Sequence, residues 1–447
     1  MSIYSAILER AMIPSYYTLR RRSYGAYRKV LEKSQWWSPE RLAEFQWNET
    51  CRLLDHAFSS VPFYQRKYAE FGIRRGEIKS PDDLRKLPPL TRAELNSNRQ
   101  DLRSTKFRGK LIPHATGGSS GEPARFFITT DSFDWRMAAS ARAYSWSGCR
   151  VGDRTLYLWG APVGEIPTFK AIKTKLFRTF RRELIFNTFR QTEDFWRRVY
   201  ESTTTFRPRF IVGYVASLEE FCRFLLRSRL SVPTIEAAIA AAETVLQPTR
   251  DLVQEALGVE LFNTYGSREF MSMAAECSEH NGLHIHSENI LLETEWPAEK
   301  GPSEILVTDL HNYGMPFIRY RIGDLGVAMH SGPCRCGRGL PRLASVEGRV
   351  LDALRTRTGK VVPGIIFPHV FKDIPEIVEF QVEQKDLDDI LVLAVLKEPL
   401  SSRSHDLIRS EFGKAFEAEV NIQIRPVDAI PKRPSGKKRV TIGMPPS

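Results

Sequence analysis

Residues 210–230 read FIVGYVASLEEFCRFLLRSRL, and their reading decides the architecture. Phe210–Val212 is a short apolar strand, and Leu218–Leu230 carries apolar residues at helical spacing. The same couplet recurs on both sides. Thr155–Trp159 reads as a strand and Phe189–Thr204 as a helix, while Glu260–Asn263 reads as the next strand. Strands alternating with helices argue for an α/β architecture with a largely parallel sheet. Further out, residues 39–72 have helical spacing through Leu42, Phe45, Trp47, Leu53, Leu54 and Phe58. From Gly282 to Met329 the text turns strand-rich (HIHSENILLE, SEILVTDL, LGVAMH), which predicts a β-subdomain. After Gly348 the texture changes again, to strand 377–384, strand 390–397, helix 402–419 and strand 421–427. The expected fold is α/β: a large N-terminal domain over residues 1–350, of layered sheets and helices, and a small C-terminal α+β domain over 351–447.

Composition agrees with this size. A chain of 447 residues exceeds one ordinary core. With 42 % hydrophobic and 26 % charged residues it has a soluble globular balance, and no apolar run reaches the length of a membrane span. The opening Met1-Ser2-Ile3-Tyr4 lacks the order of a secretory signal. A cytoplasmic location is expected, with a membrane-peripheral one left open. The net charge of +12 points to anionic ligands or an anionic surface. Part of it is local: residues 169–182, FKAIKTKLFRTFRR, hold six basic residues and no acid, interleaved with Phe169, Ile172, Leu176, Phe177 and Phe180. The first 35 residues are also basic and aromatic, with Tyr16, Tyr17, Arg20, Arg21 and Arg22. Both stretches read either as solvated basic helix faces or as contacts for a membrane or an acidic polymer. Nucleic acid is not expected, because no RNA- or DNA-reading motif accompanies the charge.

Two constellations carry chemistry. Residues 116–121 read Thr-Gly-Gly-Ser-Ser-Gly after an apolar strand at Leu111 and Ile112. Glycines let backbone N–H groups approach phosphate oxygens, and the hydroxyls of Thr116, Ser119 and Ser120 add donors. No Gly-Lys-Ser/Thr closes the loop, so it is not a Walker loop. A surface turn is the bland alternative. The second constellation is Cys334-Arg335-Cys336 with Cys277, His280 and His284 upstream. Cys277, His284, Cys334 and Cys336 make a Cys₃His zinc set, with His280 as the alternative to His284. His284 is preferred because it ends the turn Asn281-Gly282-Leu283 and starts a strand. Unliganded thiols are the competing reading.

Other elements follow the Thr116–Gly121 loop in a fixed order. Asn263-Thr-Tyr-Gly-Ser-Arg-Glu269 is a Tyr-Gly-x-x-Glu element, and Phe317-Ile-Arg-Tyr-Arg-Ile-Gly-Asp324 holds Tyr-Arg-x-Gly-Asp. Glu347-Gly-Arg-Val-Leu-Asp352 holds Gly-Arg-x-x-Asp, and Pro434-Ser-Gly-Lys437 ends in Ser-Gly-Lys. Upstream stand Val61-Pro-Phe-Tyr64 and Leu87-Pro-Pro-Leu-Thr91. With these motifs the chain resembles the adenylate-forming superfamily, in particular its phenylacetate–CoA ligase and CapK-type branch, over nearly its whole length.

The resemblance implies ATP-dependent activation of a carboxylic acid to an acyl-AMP. It implies that Thr116, Gly117, Gly118, Ser119, Ser120 and Gly121 hold phosphate. Tyr265, with Asn263, Gly266 and Ser267 beside it, would stack on adenine, which Ala242 and Glu243 would line. Glu269 would hold Mg²⁺, a hard ion that prefers oxygen donors. Asp324 would accept the two ribose hydroxyls, and Arg349 would contact ribose or phosphate. Asp352 would be the hinge of a mobile small domain. Lys437 would neutralise charge at the reacting phosphate. Trp159, Gly213 and Tyr214, at expected strand ends, would line the acid pocket, and an aromatic lining favours an aryl or other flat, small acid. ATP and Mg²⁺ are the expected cofactors, with CoA as one candidate acceptor and structural Zn²⁺ at the Cys₃His set. A small carboxylic acid is the expected partner, and a second copy of the chain is an open alternative. Two rival readings stand beside this one: a CapK-like acyl or aminoacyl transferase of capsule or exopolysaccharide synthesis that does not use CoA, and a non-catalytic nucleotide-binding relative.

Overall fold

The structure is a computed structural model that describes residues 3–116, 124–160, 174, 176–188, 192–294, 302–329, 332–349, 354–358, 361–362, 364, 366–371, 374–431 and 440–444. An eleven-stranded sheet organises the N-terminal part. Five parallel strands run side by side in the order Glu183–Asn187, Thr155–Trp159, Phe210–Tyr214, Ala237–Ala241 and Leu261–Ser267. The last of these turns back antiparallel into Met271–Ala275, and the sheet continues through Leu283–Ile285, Arg342–Arg349, Tyr320–Met329, Ser303–Asp309 and Ile290–Thr294. The strand-rich text after Gly282 is therefore a continuation of the parallel sheet through one shared strand.

The helices on the parallel half show why the sequence folds this way. Helix Val215–Ser228 buries Leu218, Phe221, Cys222 and Leu225, a stripe at i, i+3, i+4 and i+7. That stripe packs on Leu156, Leu158, Ile211, Ala238 and Ala240 of the strands, beside helices Glu193–Phe206 and Gln247–Leu257. Each such side chain contributes about 1.5–3 kcal/mol by leaving water. The helix starts directly after strand Phe210–Tyr214, and the chain leaves it through Arg229 in a left-handed conformation, φ 54°. Two refinements concern boundaries. The helical stretch 39–72 is two helices, Pro39–Ser60 and Pro62–Glu70, because Val61 precedes a proline and takes extended angles. Strand Glu183–Asn187 occupies text between the basic run 169–182 and the helix after it, to which the sequence reading assigns no element, and helix Glu193–Phe206 starts at the Thr192 cap instead of at residue 189.

A separate four-stranded sheet, in the order Asn421–Pro426, Asp389–Leu396, Ile377–Gln384 and Thr441–Ile442, forms the C-terminal part. Helices Ile366–Phe371 and Ser402–Phe416 meet in its core through Phe367 and Phe412, whose ring centroids lie 4.9 Å apart. Its buried cluster draws only on residues from Leu354 onward. Together the architecture is mixed α/β with a C-terminal domain.

Candidate functional site

Several of the predicted site residues stand at the carboxyl ends of adjacent parallel strands, where open α/β sheets bind ligands. Trp159, Gly213 with Tyr214, and Asn263 through Ser267 stand at the ends of three strands, and Ala242 with Glu243 follows a fourth, Ala237–Ala241. The register sets Leu158 beside Gly213, Tyr214 beside Ala241, and Ala240 beside Asn263. Trp159 and Tyr214 bring their rings to 4.6 Å. Gly213 is a close approach: a Cβ there would meet Leu218 at 3.1 Å and Leu158 at 3.2 Å. Burial raises the Tyr214 pKa, against the opposing pull of the Gly160 backbone N–H and of the Arg268 charge. Ala242 holds a φ of 68°, unusual for alanine, and turns the chain so that the Glu243 carboxylate accepts from the Ala216 N–H at 2.8 Å. That N–H lies at the start of helix Val215–Ser228, where a negative charge is favoured.

Tyr265 and Asp324 meet directly. The Tyr265 hydroxyl donates to the Asp324 carboxylate at 2.9 Å. The two residues are 59 apart in sequence and both nearly buried. Tyr265 lies within strand Leu261–Ser267, not in a turn past its end, and Asp324 within strand Tyr320–Met329. The glycine after Tyr265 permits the tight hairpin that follows, since a Cβ on Gly266 would sit 2.3 Å from the Met271 carbonyl oxygen. That hairpin carries Ser267, whose hydroxyl accepts from the Phe270 N–H at 3.3 Å, and Glu269, 4 % exposed. Arg349 is the Cα partner of Asp324 across the strand pair.

Thr116 closes the strand Leu111–Ala115, and its backbone N–H and hydroxyl both bond Ala124 at 2.9 Å, so the ends of the loop are clasped. Arg268, inside the Tyr-Gly-x-x-Glu element, donates to the Ala115 carbonyl at 3.2 Å and ties the loop's entry to the hairpin. Gly117, Gly118, Ser119, Ser120, Gly121, Asp352 and Lys437 lie outside the described residues.

Two residues at the site escaped the motif reading. Arg92 reaches the Glu269 carboxylate at 3.6 Å. Burial works against its charge, but Tyr320, Glu269 and Asp324 together raise its pKa. It is delivered by Leu90, which pairs with Tyr320 in a parallel bridge, and by the Thr91 cap of helix Arg92–Ser97. His114 is the second. Burial, then the charges of Arg136 and Arg268, lower its pKa. Arg92 directly follows Leu-Pro-Pro-Leu-Thr, a stretch that carries family likeness and no chemistry of its own. No sequence signal distinguishes His114.

The cysteines and the histidine form a second cluster. The donor atoms of Cys277, His284, Cys334 and Cys336 all lie within 4.8 Å of one another. The Cys277 and Cys334 sulfurs are 3.7 Å apart, and the Cys336 sulfur is 3.4 Å from His284 Nε2. Tetrahedral zinc with Zn–S of about 2.3 Å requires sulfurs roughly 3.8 Å apart, so the donor set fits that ion. His284 Nδ1 faces the Leu340 carbonyl at 3.3 Å, which leaves Nε2 directed at the thiols. Burial pushes the Cys277 thiol up to about 12. Strand pairing closes the sequence gap: Ala275 pairs with His284, and His284 with Arg342. Gly339 passes so close to Trp37 that a Cβ would lie 2.0 Å from its carbonyl oxygen. His280 points elsewhere, to the Glu276 carboxylate at 3.1 Å.

The chain is similar to known proteins over most of its length. Residues 354–443 match the family model of the CapK C-terminal domain. Protein CapK of Staphylococcus aureus is 22 % identical, over 88 % of this chain and 89 % of that protein. Phenylacetate-coenzyme A ligase of Escherichia coli (strain K12) is 26 % identical, over 81 % of this chain and 85 % of that protein. Among solved structures, 2-hydroxyisobutyryl-CoA ligase in the postadenylation state, in complex with R3-HIB-AMP, superposes with a TM-score of 0.69. It is 18 % identical, covering 92 % of this chain and 93 % of that one. The chain is a relative of CapK and the phenylacetate–CoA ligases and has the fold of the adenylate-forming ligases.

Proposed function

We propose that this protein activates a small carboxylic acid with ATP, forming an acyl-AMP and releasing pyrophosphate, and then passes the acyl group to CoA. The observation that carries the reading is the contact between Tyr265 and Asp324 at the strand ends, beside the hairpin of Glu269 and the clasped loop entry at Thr116. A carboxylate offers about four acceptor positions, and the Tyr265 hydroxyl fixes the orientation of one oxygen, so Asp324 is set to receive ribose hydroxyls. Tyr265, anchored at its tip, offers a ring for adenine, with Asn263, Gly266, Ser267, Ala242 and Glu243 around it. The loop Thr116–Gly121 holds phosphate, and Arg349 contacts ribose or phosphate. Glu269 would hold Mg²⁺, which supplies positive charge at the phosphates.

The chemical step is in-line attack of the acid's carboxylate oxygen on the α-phosphorus, with pyrophosphate as the leaving group. The protein positions the reactants and disperses charge. The acid lies by Trp159, Gly213 and Tyr214, whose aromatic rings, 4.6 Å apart, favour a flat or aryl acid. The small domain, residues 351–447, turns about Asp352 and brings Lys437 to the reacting phosphate. Its separate core and the family match over 354–443 support this division. Cys277, His284, Cys334 and Cys336 would hold Zn²⁺ as a structural clamp, since four protein donors would leave no position for a substrate.

The test is ATP-dependent pyrophosphate release across a panel of carboxylic acids, followed by CoA-dependent release of AMP with any acid that responds. Absence of pyrophosphate release with every acid would leave a nucleotide-binding relative instead. A second reading is favoured by the CapK match of the C-terminal domain: transfer of the acyl group to an amine or hydroxyl acceptor. Acid-dependent pyrophosphate release without CoA-dependent AMP release selects it.

A further inference from the structure

Six of the ten large hydrophobic residues exposed among the described residues lie in one region: Ile3, Ile7, Met12, Leu19, Leu176 and Phe180. The first four project from a helical run formed by Ile3–Ile7, Leu8–Met12 and Ile13–Leu19. Its inner side packs Leu8, Ile13 and Tyr17 against Trp135 and Ala138. The exposed residues between Ile3 and Arg21 are four large apolar side chains, three arginines (Arg10, Arg20, Arg21), Ala11, Ser15 and Thr18, with no carboxylate among them. The single acid of this run, Glu9, is turned inward and held by Arg28 at 2.6 Å.

The second piece of the surface is locked to the first. The Tyr4 hydroxyl donates to the Phe180 carbonyl at 2.6 Å, the Arg182 guanidinium lies 3.7 Å over the Tyr4 ring, and Tyr16 and Phe177 bring their rings to 6.3 Å. Leu176 at 67 % exposure and Leu19 at 85 % are left facing solvent. Apolar side chains standing among arginines, on a helical run whose other side is fixed to the fold, have the chemistry of an interfacial helix. Such helices insert shallowly into a bilayer while cations meet anionic headgroups.

We propose that this face docks the protein on an anionic membrane surface, with Ile3, Ile7 and Leu19 entering the headgroup boundary and Arg10, Arg20 and Arg21 pairing with phosphates. Charge selects this occupant. A two-fold contact with a second copy would set arginines against arginines, and an acidic polymer would have no use for the leucine and isoleucines. The inference does not depend on the adenylation reading.

Vesicle flotation tests it, with phosphatidylcholine alone and with about one third phosphatidylglycerol added. The full chain should float with the anionic vesicles, not with the neutral ones, and salt should release it. Arg10→Gln with Arg20→Gln should weaken binding about 25-fold, taking roughly fivefold per arginine. Ile3→Ser, Ile7→Ser and Leu19→Ser together should weaken it at least about tenfold while leaving heparin retention unchanged. All five positions are exposed, so circular dichroism of the variants should match that of the parent. Three results overturn the proposal: no flotation with anionic vesicles; full flotation of the triple serine variant, which would leave a charge-only contact with acidic polymers; or a dimer in sedimentation that the triple variant dissociates.

Discussion

Tyr265→Phe isolates one oxygen atom at the centre of the candidate nucleotide site. The ring belongs to a core cluster with Phe270, Met273 and Ile318, and phenylalanine retains that packing. What disappears is the 2.9 Å hydrogen bond to Asp324. A bond to a charged acceptor is worth about 1.5–3 kcal/mol net. This one already exists without nucleotide, so most of the loss falls on the folded state itself, a drop of about 2–6 °C in Tm for a protein of this size. Only the part that depends on a correctly oriented Asp324 reaches the ligand, so the KM for ATP should rise about three- to tenfold. Tyr265 acts here as a positioning residue whose contribution is the same in ground and transition state. The kcat should therefore stay within about twofold of the parent. The parent's preference for ATP over 2′-deoxy-ATP should narrow, because that preference passes through Asp324. Steady-state pyrophosphate release with both nucleotides, and a thermal melt, provide all the readouts. An unchanged KM and an unchanged nucleotide preference would refute the reasoning. So would a fall in kcat at constant KM, which would move Tyr265 into the chemical step.

Three further outcomes are expected. Cys334→Ser should release bound zinc measured by atomic emission and lower Tm by several degrees, since removing one of four ligands weakens the site by orders of magnitude; a parent protein that purifies without zinc sinks this assignment. Arg92→Gln removes the cation shared by Glu269 and Asp324 and should cost about 1–3 kcal/mol in urea unfolding, discounted for its partial exposure, with at least a tenfold loss of kcat/KM for ATP; equal stability and equal kinetics would show that the two carboxylates do not need it. His311 is buried and stacked on Trp135 at 4.1 Å, and burial lowers its pKa. The unfolded chain then takes up the proton first, so this contribution to stability is complete above about pH 6.5 and is lost as pH falls below it. His311→Gln should flatten the decline of the urea midpoint between about pH 7 and 5, and an identical decline in the variant would exclude His311 as its source.

Much of this arrangement was legible because local chemistry dictates it. The stripe Leu218, Phe221, Cys222 and Leu225 follows from helical periodicity, and its burial on the parallel strands needs no distant information. The C-terminal strands Ile377–Gln384 and Asp389–Leu396 fall where alternation places them, within a residue. Strand Glu183–Asn187 was not legible, because its residues ELIFN follow a basic run at helical spacing and only pairing with Thr155–Trp159 decides between the two. The strand position of Tyr265 is hidden for a similar reason. Its glycine reads as a breaker, yet here it serves a close approach within paired strands.

The contrast between the two clusters shows what spacing can and cannot specify. Cys277, His284, Cys334 and Cys336 have soft or imidazole donors whose residue types alone restrict the chemistry, so only their convergence had to be found. Pairing of Ala275 with His284 and of His284 with Arg342 supplies it. Arg92 carries no such restriction. An arginine after a helix cap is ordinary, and its meaning arises only when the bridge from Leu90 to Tyr320 carries it across the chain to Glu269 and Asp324. The proposed acid pocket is of this second kind as well. Trp159 and Tyr214 acquire their ring contact from the register of two parallel strands, with Leu158 set beside Gly213. On the proposed function, strand ends fix where an acid would bind, whereas the identity of that acid depends on side chains brought together by packing. For that reason an acid panel, read alongside Tyr265→Phe, separates the two questions: the variant reports on the nucleotide end, and the panel on the pocket.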